Sequence, residues 1–252
     1  MGGAFAAGLL KGDLFDTSDI TVANRHEGKL LPFAQMGASV TTDNRVAAEG
    51  ADIVAIVVKP DMVKTVIDEI KPVLDLGRQL IVNMAASVTI DQLEAWLSDG
   101  NVKPQLYQVI PNIGIAEQAS MTFIAPNANG AANIDKVKDL FDALGLTIVT
   151  SEQLLVAGTA MAGCGIAYVM RFLRAASEAG VELGFKADEA KDIMLQTMLG
   201  AVRLLQANGN HPEAEIDKVT TPGGMTIRGL NAMERNGFTN AVIEGIKGSL
   251  KK

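Results

Sequence analysis

Cysteine is almost absent from this 252-residue chain. Its single thiol, Cys164, excludes an intrachain disulfide and fits a reducing compartment. Histidine is nearly as scarce. His26 and His211 lie far apart, form no metal-ligand cluster with the lone cysteine, and read as surface residues. Positive charge is in deficit, 22 Lys and Arg against 29 Asp and Glu for a net −7, so neither nucleic acid nor an anionic membrane surface is the expected partner. The apolar opening MGGAFAAGLLKG has no basic stretch before it, which speaks against a secretory signal, and Ala6 stands where N-myristoylation needs Ser or Thr. Low-complexity tracts, Gly/Ser-rich spacers and internal repeats are missing too. A cytoplasmic, soluble protein is expected.

One stretch tests that expectation. Gln153–Met170, QLLVAGTAMAGCGIAYVM, is uncharged and approaches membrane-spanning length. Its Gly, Ala and Thr content, mid-chain position and lack of a hydrophobic companion predict a buried, close-packed helix instead.

What is present is a change of texture. Up to Ser151, short β-branched runs alternate with helical patterns. The predicted strands are Ile20–Ala23, Ala38–Thr41, Ile53–Val58, Leu80–Met84, Leu106–Ile110, Met121–Ala125 and Leu146–Thr150. Several are nearly all apolar, which suits burial on both faces of a parallel sheet, and helical patterns such as Pro60–Leu74 and Asn133–Ala143 lie between them. That alternation predicts an α/β, doubly wound Rossmann-like layer over residues 1–151. Beyond it, Gln153–Gly184, Ala187–Asn208, Thr226–Asn236 and Thr239–Ser249 read as helices, an all-α domain over residues 152–252. An uncharged small-residue helix with so little core of its own is expected to bury its face against a second subunit.

The opening is unusual. A nucleotide-binding fold begins with a strand, a Gly-x-Gly-x-x-Gly turn and a helix that receives the pyrophosphate. MGGAFAAGLLKG looks like the helix half of such a unit, with Gly2 or Gly3 as its third glycine; an amphipathic helix of another fold is the plainer alternative. The order ITVANR, IVAIVVKP, LIVNMAA supports the former. The missing first strand would be central to the sheet, so the polypeptide is expected to begin upstream of Met1.

The stretch VTTPGGMTIRGLNAMERNGF, Val219–Phe238, resembles the C-terminal signature of the pyrroline-5-carboxylate reductase family, and VVKP (Val57–Pro60), MAASVTI, IPNIG and GCGIAYV follow in that family's order. The resemblance covers essentially the whole chain. It implies hydride transfer from NADPH, with NADH as the alternative, to the C=N bond of 1-pyrroline-5-carboxylate, giving L-proline, and a homodimer or larger assembly through the C-terminal helices. Three departures stand out. Ala85-Ala86-Ser87 replaces the usual alanine-alanine-glycine, Gln108 stands where an arginine is common, and Ala162-Gly163-Cys164-Gly165-Ile166 replaces Ser-Gly-Ser-Gly-Pro.

The substrate so implied is a small cyclic imine with a carboxylate. In TTPGGMT the glycines allow close backbone approach, and the Thr221 hydroxyl with the amides of Gly224, Met225 and Thr226, next to Gly223, would bind that carboxylate. An ordinary Pro-Gly-Gly turn with Thr226 as helix N-cap is the plain structural alternative. Thr226 also matches the family's threonine at the ring nitrogen, an orienting donor. For the cofactor, Asn24 and Arg25 end a strand where a basic residue accommodates the 2′-phosphate of NADP. Asn44 matches the family's adenosine-ribose contact, Met1 and Gly2 would meet the pyrophosphate, and Val58, Lys59 and Pro60 form a turn at a strand's carboxyl end. Ala85 and Ala86 are small enough for a nicotinamide to lie close, and Asn112 lies near the same pocket.

Two rivals stay open on the sequence. One is a reductase of another cyclic imine; a β-hydroxyacid dehydrogenase is disfavoured because GCGIAYVMRFLRAASEAG holds arginines but no lysine. The other is a non-catalytic paralogue that binds a nucleotide or metabolite without turnover.

Overall fold

The computed structural model describes residues 1–98, 100 and 102–250. Two compact units divide the chain, Met1–Gly163 and Cys164–Lys252.

The first unit runs α1 (Gly2–Lys11), β1 (Thr21–Ala23), α2 (Leu31–Gln35), β2 (Ser39–Thr41), α3 (Asn44–Ala48), β3 (Ile53–Ile56), α4 (Pro60–Ile70), β4 (Leu80–Asn83), α5 (Ile90–Leu97), β5 (Gln105–Ile110), β6 (Ser120–Pro126), α6 (Ile134–Asp142), β7 (Gly145–Val149) and α7 (Glu152–Gly158). All seven predicted strands are present, each within a residue or two of its expected limits. They form two sheets: β1 pairs with β2 in parallel, and a five-stranded sheet has the order β3-β4-β5-β6-β7. Among the described residues no strand joins the two.

One strand pair among the described residues departs from parallel pairing. β5 and β6 are antiparallel, with Tyr107 opposite Pro126 and Ile110 opposite Phe123. Their connection holds only the short 3-10 turn Ile113–Glu117, and a parallel crossover needs a dozen residues or more. β7 then returns parallel to β6.

Helix spacing explains the core. In α4, Val63, Ile67 and Ile70 recur at helical spacing and are buried, each side chain contributing about 2 kcal/mol by area. Pro60 sits in the first turn of α4, where its missing N–H is no loss. α5 starts with a capping box between Thr89 and Gln92, and α6 buries Val137, Leu140 and Phe141 against β4–β6 residues such as Val82, Tyr107 and Ile124. α1 lies on the Ile113–Glu117 turn so closely that a Cβ on Gly8 would stand 2.1 Å from the Ile115 carbonyl oxygen.

The second unit is helical: α8 (Gly165–Glu182), α9 (Ala187–Asn208), α10 (Pro212–Lys218), α11 (Met225–Arg235) and α12 (Phe238–Gly248). α8 and α9 approach at Gly180, where a Cβ would meet that of Ala190 at 2.8 Å. α8 also reaches the last helices through Phe172, edge-on to Phe238 with centroids 6.1 Å apart, and through a Tyr168–Ser249 hydroxyl contact.

Gln153–Gly184 is expected as one helix, and the structure runs it helically from Glu152 to Glu182 with one irregularity. A π-turn over Thr159–Cys164 separates α7 from α8. Leu155, Gly158 and Ala160 are buried, whereas Val156, Met161, Val169 and Met170 are all more than half exposed in the single chain. Glu152–Glu182 is the one run among the described residues that is long and apolar enough to cross a membrane.

Candidate active site

In open α/β sheets ligands sit beyond the carboxyl ends of the strands, and the structure gathers most of the predicted cofactor residues at such ends. α1 begins at Met1 without a side-chain cap and with no acidic residue in its first turn, so its leading amides face no competing negative charge of their own helix. Its first turn abuts the end of β3: a Cβ on Gly2 would be 3.4 Å from the Val57 carbonyl oxygen. Met1 and Gly2 are thereby brought next to the Val58–Lys59–Pro60 turn, in which Lys59 is the exposed N-cap of α4.

The ends of β1 and β2 form a second corner. Asn24 donates its amide N–H to the Thr41 carbonyl at 3.1 Å, and its side-chain oxygen accepts from the His26 amide at 3.0 Å. The charges here are unequal. Arg45 is held by Asp43 through Nε and Nη2 at 3.1 and 2.8 Å, and this guanidinium, with the Arg45 amide, pulls the Asp43 carboxyl down to about 2. Arg25 donates only to an imidazole nitrogen, His26 Nε2, at 3.2 Å and has no carboxylate partner among the described residues. The cation with charge to offer an incoming phosphate is therefore Arg25. Asn44 donates to Glu69 Oε2 at 2.9 Å, which occupies one of its two amide protons.

The loop after β4 holds Ala85, which is buried, and Ala86, which is exposed. Beneath it lies an amide circuit. Asn83 and Gln108 are register partners on β4 and β5, both almost fully buried. Asn83 Nδ2 donates to Gln108 Oε1 at 2.7 Å and to the Ala85 carbonyl at 3.2 Å, while Gln108 Nε2 donates to that carbonyl at 2.9 Å. The Ala85 amide in turn donates to Asn83 Oδ1 at 3.3 Å. Asn83 was not foreseen as a site residue. A lone amide at the end of the apolar run LIVN, with a second one in YQVI, was the available signal, since buried amides need partners.

Asn112 is largely used by its own loop. Its Oδ1 accepts from Gly114 at 2.9 Å, capping the Ile113–Glu117 turn, its amide donates to Ser120 Oγ, and its Nδ2 reaches toward the Ala162 carbonyl at 3.5 Å.

In the helical unit, Thr221–Gly224 forms a turn closed by Gly224 N–H to Thr221 carbonyl at 3.0 Å. Pro222 occupies its second position and Gly223, at φ +68°, its third, the type II pattern. A Cβ on Gly224 would lie 2.4 Å from Thr221 Oγ1, so a side chain there requires that hydroxyl to turn away. Gly224, not Thr226, is the N-cap of α11, and no side chain caps the helix. The Gly224 amide is spent in the turn, so those of Met225 and Thr226 are left for a ligand, beside an exposed Thr226 hydroxyl. That arrangement can bind a carboxylate and hold one donor next to it.

Both halves therefore carry anion-binding features: Arg25, small loop residues and an uncapped α1 in one, an uncapped α11 in the other. These suit a dinucleotide phosphate and an acidic metabolite. A family model described as NADP oxidoreductase, coenzyme F420-dependent, matches residues 1–87, and one described as pyrroline-5-carboxylate reductase dimerisation matches residues 152–252. Pyrroline-5-carboxylate reductase 1 of Dictyostelium discoideum is 36% identical over all of this chain, which spans only 47% of that relative's length. Pyrroline-5-carboxylate reductase 2 of the same organism is 33% identical over all of this chain and 88% of its own length. Among solved structures, a pyrroline-5-carboxylate reductase from Coxiella burnetii is 28% identical, with a TM-score of 0.89 over 99% of this chain and 93% of its own. With the signature at Val219–Phe238, the two-unit fold and a relative 33% identical over all of this chain and 88% of its own length, the chain belongs to the pyrroline-5-carboxylate reductase family.

Proposed function

We propose that the protein reduces 1-pyrroline-5-carboxylate to L-proline with NADPH in the cytoplasm, working as a homodimer or a larger assembly of dimers. The observation that carries the reading is the Thr221–Thr226 turn opening α11, whose glycine geometry leaves two amides and a hydroxyl uncommitted. NADPH, when bound, supplies the hydride for the C=N carbon.

The chain's own residues do the rest. The amides of Met225 and Thr226, at the positive end of the α11 dipole, hold the substrate carboxylate. The Thr226 hydroxyl donates a hydrogen bond to the ring nitrogen, where negative charge would otherwise build as the C=N bond is reduced. A threonine hydroxyl is too weak an acid to drive the step alone, so this is orientation and charge stabilisation. Arg25 with Asn24 holds the adenosine 2′-phosphate, Asn44 the ribose, and Met1, Gly2 and the Val58–Pro60 turn the pyrophosphate. Ala85 and Ala86 leave room for the nicotinamide.

The exposed apolar side chains of α8, α9 and α12, among them Val169, Met170, Leu195, Val202, Leu204 and Ile243, fit burial against a second copy, in keeping with the dimerisation match over residues 152–252.

A steady-state assay with purified protein, NADPH and pyrroline-5-carboxylate tests the reading. Proline-forming turnover that is faster with NADPH than with NADH is expected. Cofactor and imino-acid binding without turnover would instead favour a binding paralogue, and turnover confined to a different ring would favour another imine reductase.

A further inference from the structure

We propose that Asn83 and Gln108 are positioning residues that set the backbone of Ala85–Ser87 for the nicotinamide end of the cofactor. The inference rests on the reading that the loop after β4 receives the nicotinamide.

The circuit's output is the loop, not the sheet. Asn83 and Gln108 already pair through the β4–β5 ladder, so their side chains are not needed to hold the strands together. A buried amide pair costs desolvation that two apolar side chains of the same shape would avoid. What the amides add is control of one peptide. The Ala85 N–H and C=O are both taken, the carbonyl twice, by groups fixed in strands. Ala85 is thereby held at the point where the chain leaves β4, and its carbonyl has no lone pair left for a ligand. The cofactor must meet the next peptides, Ala86 and Ser87.

Ser87 strengthens the case. It is one of two non-glycine residues among those described with positive φ, at +71°, a conformation a serine adopts only at some cost. A strained residue two positions beyond a doubly anchored one indicates a loop shape imposed from below. The two anchors are amides, which carry no charge, so they direct hydrogen bonds into the loop without placing a fixed charge under the ring.

The test measures binding to the full-length protein with two probes, NADPH and 2′-phospho-ADP-ribose, which has the adenosine end but no nicotinamide. Gln108→Met fills the same space without donating or accepting. It is expected to weaken NADPH about tenfold, the scale of one lost hydrogen bond, while 2′-phospho-ADP-ribose binds within twofold of wild type. If Gln108→Met does not accumulate as folded protein, Asn83→Thr breaks the circuit from the other strand with a residue suited to β-structure. In assays, the loss should appear in the NADPH KM and leave the imine KM unchanged.

Variants that bind both probes normally, or lose both in parallel, would overturn the inference. Wild-type protein that binds NADPH tightly but reduces no pyrroline would sink the proposed reaction and leave this inference standing. Wild-type protein that binds neither probe would overturn the cofactor site and the inference together.

Discussion

The backbone amide of Ile90 donates to Glu152 Oε1 at 2.7 Å, tying the first turn of α5 to the first residue of α7 across 62 positions of sequence. Thr89 caps the same helix start through Gln92, so one end of α5 is secured both locally and at long range. Glu152→Ala should cost about 1–2 kcal/mol, and Glu152→Gln, which keeps an acceptor, distinctly less. Urea denaturation with an unchanged slope and a shifted midpoint is the check.

Glycine at position 8 is a packing requirement. Gly8→Ala would drive a methyl into the Ile115 carbonyl and should destabilise the first unit by about 2–3 kcal/mol. Gly28→Ala is the control, because nothing lies within 4 Å of the added carbon, and it should be neutral. Equal melting shifts for the two would refute the close contact between α1 and the Ile113–Glu117 turn.

Arg25 should decide cofactor choice. Its guanidinium meets only His26, whereas that of Arg45 is neutralised by Asp43. Arg25→Ala is expected to raise the NADPH KM about tenfold or more and to move the NADH KM little. Arg45→Ala should discriminate far less between the two nucleotides.

Thr226→Val removes an exposed hydroxyl from the second residue of α11 and keeps the shape. Turnover should fall about tenfold to a hundredfold with an unchanged melting temperature. Unaltered turnover would take this residue out of the reaction.

Burial pushes the Tyr107 hydroxyl up to about 12 from 10.0, and it donates to the Gly130 carbonyl at 2.8 Å. The unfolded chain releases this proton first, so the contribution is fully present below about pH 10 and declines as pH rises toward 12. The difference in ultraviolet titration between wild type and Tyr107→Phe should therefore show a midpoint near 12, and the variant should lose less stability over that interval.

Much of this architecture could be read in advance because its signals are local. Runs such as IVAIVV and LIVNM are short, apolar and rich in β-branched residues, which favours strands, and Pro60 marks where α4 starts. Strand direction is another matter. MTFIA looks the same whether β6 runs with or against β5, and only the short connection decides it. The short helices α2, α3 and α10 have too few turns to show a period. The TPGG turn was legible because proline and glycine carry backbone geometry in their identities, although the cap fell on Gly224 and not Thr226. The Asn83–Gln108 circuit and the Asp43–Arg45 pair depend on which residues meet across strands or on rotamers, which no spacing rule supplies.

The reversal at β6 divides the large sheet by polarity. Segments leaving β3, β4 and β5 emerge at one end, with Val58, Ala85 and Asn112, while those leaving β6 and β7 head toward the other. Substitutions around Asn127 and Gly130, where a buried side-chain amide stitches β5 to the β6 exit, should consequently register in melting behaviour and leave Michaelis constants alone. Sequence change can accumulate at that exit under the single constraint of staying folded, independently of whatever chemistry is selected on the opposite rim.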